Sequence, residues 1–519
     1  MPFLIRAEGV NLSAVLSDTS DLSTIRGGGL MLLDAANGLE KATGCNAIST
    51  GASAALLKTD DKHEAVEAVK AARQYLQKAE KKHFTFVVNA MEFTGDNEFP
   101  LAEAAVLAAN RWQQMQAPSL AIPTLSTKID PSAVCEVDGV RPYSCDIRFP
   151  DEVKKPGSQS VHDRREQGRR LRQTFYNDEI AKLEENQGAN FIQELCFTDD
   201  LHTLAGGYPE GGNLNDKFAV LYMDGNNFGS IARACKIDKE LEKWDKEIKK
   251  LRRKLLLDIL RAIHTDSRWH AIDLKTGKPV IRLETLLWGG DELMFAVPAW
   301  LGWPLLDFIF RHTKGWIYDG KELTHGVGLV FCHVKAPIQR VTTLAKSLAE
   351  EAKEATNRMS NAACWLALES FDHVGTDFSS FLARRYHHTI NAGHWVLSAD
   401  HVEAINTNMK KLKSILPRSQ IVQAALSAVC QPTATDDKET LNKVLANAYE
   451  QLHVSAHKAG ASAELLALWN TLKGTNGKND TEFPTKFLDL SLTCDEHLAH
   501  IAAWAQLAEL WDYAGLDPI

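Results

Sequence analysis

The chain has 519 residues, is 45% hydrophobic and 24% charged, and carries a formal net charge of −9 from 58 basic and 67 acidic side chains. That length predicts more than one domain, with ample material for a large core, and the acidic balance leaves nucleic-acid binding to local basic stretches only. Residues 1–8 lack the layout of a signal peptide, no apolar run reaches the roughly 18 residues of a membrane span, and the nine scattered cysteines form no C-x-x-C pair, so a cytoplasmic protein with reduced thiols and no membrane contact is expected.

Residues 1–125 read as an α/β unit. A strand is predicted at 12–16, a helix preceded by Gly27-Gly28-Gly29 and running through Leu39, and a hairpin of 46–50 with 54–57 around Gly51-Ala52-Ser53. A helix over 62–80, a strand over 83–90 and a helix over 101–116 follow. Residues 126–205 read as a connector. Its first part, to 175, is loop-rich, with Pro131, Pro142, Pro150 and Pro156, and ends in Arg164, Arg165, Arg169, Arg170 and Arg172; its second part is helical. Cys135 and Cys145 could form half of a zinc site, but no second pair has ligand spacing.

Residues 206–399 give a strand (218–223), a long helix (228–264), hairpin strands (280–297), a short helix (303–312), a strand (326–331), a helix (338–357) and a strand (363–368). This approximates the β-α-β-β-α-β plan of a ferredoxin-like domain, with helices covering one face of an antiparallel sheet. Residues 400–519 have helical periodicity, broken at Pro432 and at 474–480, and predict an all-α C-terminal domain. The fold class is therefore α+β.

Two segments carry chemistry. Trp288-Gly289-Gly290-Asp291-Glu292-Leu293 joins two apolar runs through a Gly-Gly turn, a hairpin signature. Upstream, an apolar strand ends in Asp224-Gly225-Asn226-Asn227-Phe228-Gly229. Either segment alone is an ordinary surface turn. Together, around a helix, they bring a strand-end acid and a hairpin-tip acid to one place. Joining a 3′-hydroxyl to the α-phosphorus of a nucleoside triphosphate needs hard oxygen ligands for Mg²⁺ or Mn²⁺ from adjacent strands. Asp224 and Asp291 are the expected metal ligands and catalytic residues, Glu292 the third, and the Gly225 carbonyl an extra ligand. Neighbouring strand residues point to opposite faces, so Asp291 and Glu292 converge only where the hairpin tip bends. Gly225, Gly289 and Gly290 are counted with Asn227, Phe228 and Lys353 as nucleotide-binding candidates. For Asn227 the alternatives are a ribose or base contact and a helix cap; for Phe228, a platform beneath the nucleotide and core packing. For Lys353 they are the triphosphate and a solvated helix face.

At these residues the chain resembles the large polymerase subunit of type III CRISPR effector complexes, whose palm domain is related to the GGDEF nucleotidyl cyclases. The family carries a strand-end Asp motif followed by Asn and an aromatic or Leu-Gly pair, then a Gly-Gly-Asp-Asp hairpin. His333-Val334-Lys335-Ala336-Pro337 and Ala352-Lys353 also match the palm pattern. The resemblance implies two palm domains, the first degenerate because Gly51-Ala52-Ser53 lacks acids, with nucleotides between them. It implies a nucleotidyltransferase or cyclase making an oligonucleotide second messenger, cyclic oligoadenylate being the expected product, from ATP or another nucleoside triphosphate in prokaryotic antiviral defence. RNA, CRISPR effector subunits and a second copy of the chain are its open partners. Asn226 stands where many relatives have a second Asp, and Glu292 is closer to the cyclases. No HD nuclease domain is found, His162-Asp163 being isolated, which points to a stand-alone or minimal member. Two alternatives stay open: a vestigial palm acting as a structural or RNA-binding subunit, and a metal-dependent nucleotide hydrolase. The arginines at 164–172 and the run Lys249-Lys250-Leu251-Arg252-Arg253-Lys254 are either RNA grips or solvated helix faces, the latter favoured. The absence of a G-x-x-x-x-G-K-[ST] loop and of Gly-x-Ser-x-Gly argues against a P-loop ATPase and an elbow hydrolase.

Overall fold

The computed structural model describes residues 1–95, 98–116, 134–149, 153–183, 189–273, 277–368, 377–386, 390–430, 450, 452–473 and 494–519. The first part comprises β1 (Phe3–Val10), α1 (Ser13–Leu16), α2 (Leu22–Thr43), β2 (Asn46–Thr50), β3 (Ala54–Thr59), α3 (Lys62–Leu76), β4 (Thr85–Glu92) and α4 (Phe99–Gln116). Its strands form one antiparallel sheet in the order β2-β3-β1-β4, as a β-α-β-β-α-β chain path requires. Alternation along β1 sends Phe3, Ile5 and Ala7 into a cluster with α2 and α3, and Leu4 into a second cluster on the other face.

Two elements of this part differ from expectation. Residues 12–16 are not a strand: 13–16 form α1, and the strand is β1, whose Arg6 and Glu8 interrupt an apolar run. Gly27-Gly28-Gly29 lies inside α2 rather than before it. The glycines serve close helix contact, since a Cβ on Gly27 would sit 1.7 Å from the Arg164 carbonyl oxygen.

The connector is more ordered than its prolines suggest. A hairpin of β5 (Cys145–Arg148) and β6 (Lys154–Gly157) leads into α5 (Gln159–Ile180), a 22-residue helix packed on α2 through Gly27 and Gly168. Arg164 and Arg165 face inward. Arg164 donates to Asp18 at 3.0 and 2.8 Å, and Arg165 pairs with Asp21 at 3.4 Å, so these two arginines are structural and not an RNA grip. Cys135 is buried against the Asp138 amide, and Cys145 lies on the Gly157 carbonyl. Among the described residues no group of three or more His, Cys, Asp or Glu side chains is placed to hold a metal, so the zinc half-site gains no partners.

After α6 (Leu201–Ala205) the second sheet is built from β7 (Lys217–Gly225), α7 (Phe228–Ala234), α8 (Asp238–Thr265), the small hairpin β8 (His270–Ile272) and β9 (Pro279–Ile281), β10 (Glu284–Gly289), β11 (Glu292–Pro298) and α9 (Ala299–Thr313). A short hairpin of β12 (Ile317–Tyr318) and β13 (Lys321–Glu322) precedes β14 (His325–His333), α10 (Ile338–Ala355) and β15 (Ala362–Ala367). Past α11 (Phe378–Arg385), β16 (Val396–Ser398) closes the order β10-β11-β7-β14-β15-β16. The first four strands repeat the order of the first sheet, and β15 adds a parallel neighbour to β14. The predicted long helix is two helices, broken between Ala234 and Asp238. Helices cover both faces rather than one. Gly302 of α9 meets Ala219 and Phe331, whereas α10 approaches the opposite face at Gly326 and Gly328, where a Cβ would lie 2.7 and 1.8 Å from helix carbonyl oxygens.

The two sheets are fastened together by buried contacts. Arg26 of α2 makes a bidentate ion pair with Glu284 of β10, both side chains 2% exposed. Phe228 and Trp244 share a core cluster with Leu4 and Ile48 of the first sheet. The chain continues through α12 (Ala399–Ile415), α13 (Arg418–Cys430), α14 (Ser462–Lys473) and α15 (Cys494–Leu510), with no strand among the described residues after Ser398. The breaks predicted at Pro432 and 474–480 lie outside the described residues. Among the described residues no helix is long and apolar enough to cross a membrane.

Candidate active site

β7 is the central strand of its sheet, buried from Phe218 to Met223, and its polar end emerges only at Asp224. The ladder pairs Leu293 with Met223, so one step further Glu292 lies across from Asp224 and both project from the face that carries Tyr222. Tyr222 donates its hydroxyl to Glu292 Oε1 at 2.8 Å. Asp291 sits in a two-residue turn between the paired Gly289 and Glu292. Gly290 takes a φ of +57°, which glycine adopts without steric cost. The tip therefore bends, and Asp291 and Glu292 escape strict alternation.

α10 covers this face and brings Lys353 to it. Its Nζ lies 2.5 Å from Asp224 Oδ2 and 3.2 Å from the Gly225 carbonyl oxygen. Gly326, opposite Asp224 in the ladder, leaves room for the Lys353 stem, which a Cβ there would meet at 2.4 Å. Burial first, and then the crowding of acids, sets the protonation behaviour. Burial, followed by the charge of Asp224, pushes the Asp291 carboxyl up to about 7. Burial also raises Asp224, against the opposing pull of Lys353. Tyr222 is raised well above an ordinary phenol by burial and by Glu292.

The turn after Asp224 is built from inside. Asn226 is buried, donating its side-chain amide to Thr324 Oγ1 at 3.0 Å and to the Ser360 carbonyl at 3.1 Å. It ties the turn to the strands beside it. Asn227 has a φ of +60° and is exposed; its amide donates to the Arg358 carbonyl at 3.3 Å and makes no helix cap. Phe228 is 4% exposed and packs edge-on against Trp244 and His325, beneath Gly225, so it is placed in the core.

The hairpin is held by residues that its motif does not contain. A Cβ on Gly289 would sit 2.3 Å from the Ala52 Cβ and 2.4 Å from its Cα, so the acid-bearing hairpin packs directly on the acid-free Gly51-Ala52-Ser53 turn of the first sheet. Arg252, 4% exposed, donates to the Gly290 carbonyl at 2.5 Å and stacks its guanidinium 4.7 Å from the Trp288 ring centre. Burial lowers that guanidinium to about 10. Trp288 Nε1 donates to Glu179 at 2.9 Å, and Arg253 Nε shares the same carboxylate oxygen at 3.2 Å. Arg252 is therefore neither solvated nor an RNA contact. The basic run around it is the one sequence signal that could have found it.

The donor set of Asp224, Asp291 and the Gly225 carbonyl is made of hard oxygens and suits Mg²⁺ or Mn²⁺, with water and phosphate completing the shell. Among the described residues no cluster of three acidic, His or Cys ligands is preformed, and the Lys353 ammonium supplies the positive charge beside Asp224 and Gly225.

No family model and no curated protein matches the chain. Solved structures do. Csm1 from T. onnurineus is similar with a TM-score of 0.50 at 10% identity, over 97% of this chain and 69% of that one. A Csm1–Csm4 cassette in complex with cA4 gives a TM-score of 0.49 at 11% identity, over 97% and 70%. The cassette with cA3 gives 0.48 at 10%, over 97% and 69%. The chain thus has the fold of Csm1, from the type III CRISPR complexes whose large subunit its Asp-Gly-Asn-Asn and Gly-Gly-Asp-Glu motifs resemble.

Proposed function

We propose that this protein is a metal-dependent nucleotidyltransferase or cyclase that joins nucleoside triphosphates, ATP first among them, into an oligonucleotide signal in a type III CRISPR setting. The observation that carries the reading is the meeting of Asp224, Asp291, Glu292 and Lys353 where the central strand and the Gly-Gly hairpin end, in a chain with the Csm1 fold. We divide the chain into a degenerate palm (1–125), a connector (126–205), a catalytic palm (206–399) and a helical C-terminal domain (400–519). The second palm carries the acids.

Asp224, Asp291 and the Gly225 carbonyl would hold Mg²⁺ or Mn²⁺, which supplies hydroxyl activation and charge neutralisation at the leaving pyrophosphate. Glu292, fixed by Tyr222, supports Asp224 from across the ladder. Lys353 leaves Asp224 for the triphosphate oxygens when the site fills. Asn227, exposed in the turn after Asp224, would meet a ribose or base. Gly289 meets Ala52, so the acid-free turn stands beside the acidic one, and in this reading a second nucleotide would bind at the junction of the two palms. RNA and CRISPR effector subunits are the partners that this reading favours.

One observation supports a second reading. Lys353 neutralises Asp224 and Asn226 is committed to holding the turn, as a vestigial palm serving a structural role would have it. Incubation with each labelled nucleoside triphosphate and Mg²⁺ or Mn²⁺, with products resolved by mass, separates the two. Linked products that Asp224→Ala abolishes support the enzyme. Released phosphate without linkage supports a hydrolase, and no turnover with RNA and partner subunits present supports the structural role.

A further inference from the structure

Behind the hairpin, on the side away from Lys353, α2, β2 and α8 enclose a cleft of about 570 Å³. That is within the roughly 300–1,000 Å³ range of small-molecule sites. Seven lysines and arginines line it against five carboxylates. Three of the cations, Lys246, Lys249 and Arg261, are paired with acids of their own helix. Lys250 and Lys254 are exposed, stand one helical turn apart and have no carboxylate partner among the described residues. Ala47, Ile48, Leu183 and Leu257 give the cleft an apolar floor.

The remaining pair of cations connects the cleft to the hairpin. Lys182 and Arg253 both bind Glu179, whose side chain is 3% exposed and also accepts the Trp288 indole N–H. Next to Arg253, Arg252 holds the Gly290 carbonyl. An anion that draws Lys182 and Arg253 toward itself leaves Glu179 with Trp288 alone and alters the hold on the turn that carries Asp291.

We propose that this cleft binds a polyphosphate anion, free or borne by a nucleotide, and that its occupancy is read by the catalytic hairpin through Glu179 and Trp288. The binding half stands apart from the catalytic reading; the coupling half rests on it. The test is calorimetric titration of the full chain with inorganic tripolyphosphate and with ADP, in EDTA so that metal-assisted binding at the acidic hairpin is suppressed. The wild type and Asp291→Asn should bind alike, and Lys250→Glu/Lys254→Glu should bind at least tenfold more weakly, as expected when two phosphate-facing ammonium groups become carboxylates. A preference for ADP assigns the apolar floor to the base, and equal affinities assign the site to phosphate alone. Hydrogen exchange over 284–298 should change when the wild type is saturated, which tests the coupling without any assay of turnover. The proposal is overturned by unchanged affinity in the charge-reversed variant, by loss of binding in Asp291→Asn, or by an equal loss in Lys62→Glu/Lys321→Glu, remote from the cleft. Binding of a single-stranded oligonucleotide tenfold tighter than ADP would also overturn it, in favour of a nucleic-acid grip.

Discussion

Replacing Asp291 by Asn should stabilise the metal-free protein while destroying the proposed activity. The carboxyl rises from 3.8 to about 7, because it is buried beside Asp224 and Glu292. At about 1.4 kcal/mol per unit, ionising it in the folded state costs up to about 4 kcal/mol, reduced to about 2–4 by its partial access to solvent. The sign follows from linkage: the folded pKa lies above the unfolded one, so the cost is absent below about pH 4, grows through the interval and is complete above about pH 7. Thermal melts of wild type and Asp291→Asn in EDTA should therefore show the variant ahead by several degrees at about pH 8, with at least half of that advantage lost at about pH 5. Adding Mg²⁺ at the higher pH should raise the wild-type midpoint, since the ion binds only the folded state, and raise the variant much less. An Asn variant that is less stable than wild type at pH 8, or whose advantage does not depend on pH, would refute the crowding of acids on which the site rests.

Gly289→Ala should lower stability by about 1–3 kcal/mol and reduce product formation, as overpacking against a fixed neighbour does; Ala52→Gly should fail to rescue it, because the Ala52 Cα itself lies 2.4 Å from the added methyl. Lys353→Ala should leave the fold intact and raise the KM for nucleoside triphosphate at least tenfold in steady-state assays, since it removes a charge-assisted contact of about 1.5–3 kcal/mol. Glu284→Ala should cost about 3–5 kcal/mol in urea denaturation by stranding the buried Arg26, whereas Arg26→Met/Glu284→Met should recover most of that loss.

What the sequence disclosed was local. The hairpin and the strand-end acid were legible because a Gly-Gly turn between apolar runs and a buried strand ending in Asp each need only neighbouring residues. The order of the principal elements from 217 to 367 followed from the same periodicities, whereas the break between α7 and α8 and the short hairpins β8–β9 and β12–β13 did not. What escaped was set at long range. α5 reads as a loop because its inward face is made of Arg164, Arg165 and Gly168, which bury only because Asp18, Asp21 and α2 meet them. Arg252 looks like one of a solvated run until Gly290 and Trp288 are seen against it. Asn226, which stands where many relatives have a second Asp, is a strand-tying residue whose partners lie 98 and 134 positions away. For Lys353 the sequence leaves the triphosphate and a solvated helix face open, and its pairing with Asp224 depends on the small Gly326 beside its stem.

The proposed activity needs Asp224 and Asp291 to hold the metal at which nucleotides are joined. The measurement that tests it most directly is mass spectrometry of the products formed from ATP and Mg²⁺ by the full chain, with Asp291→Ala beside it and with RNA and effector subunits supplied. Phosphodiester-linked oligoadenylates are expected from the wild type and none from the variant. Linked products that persist in Asp291→Ala, or a wild type that yields none under any of these conditions, would contradict it.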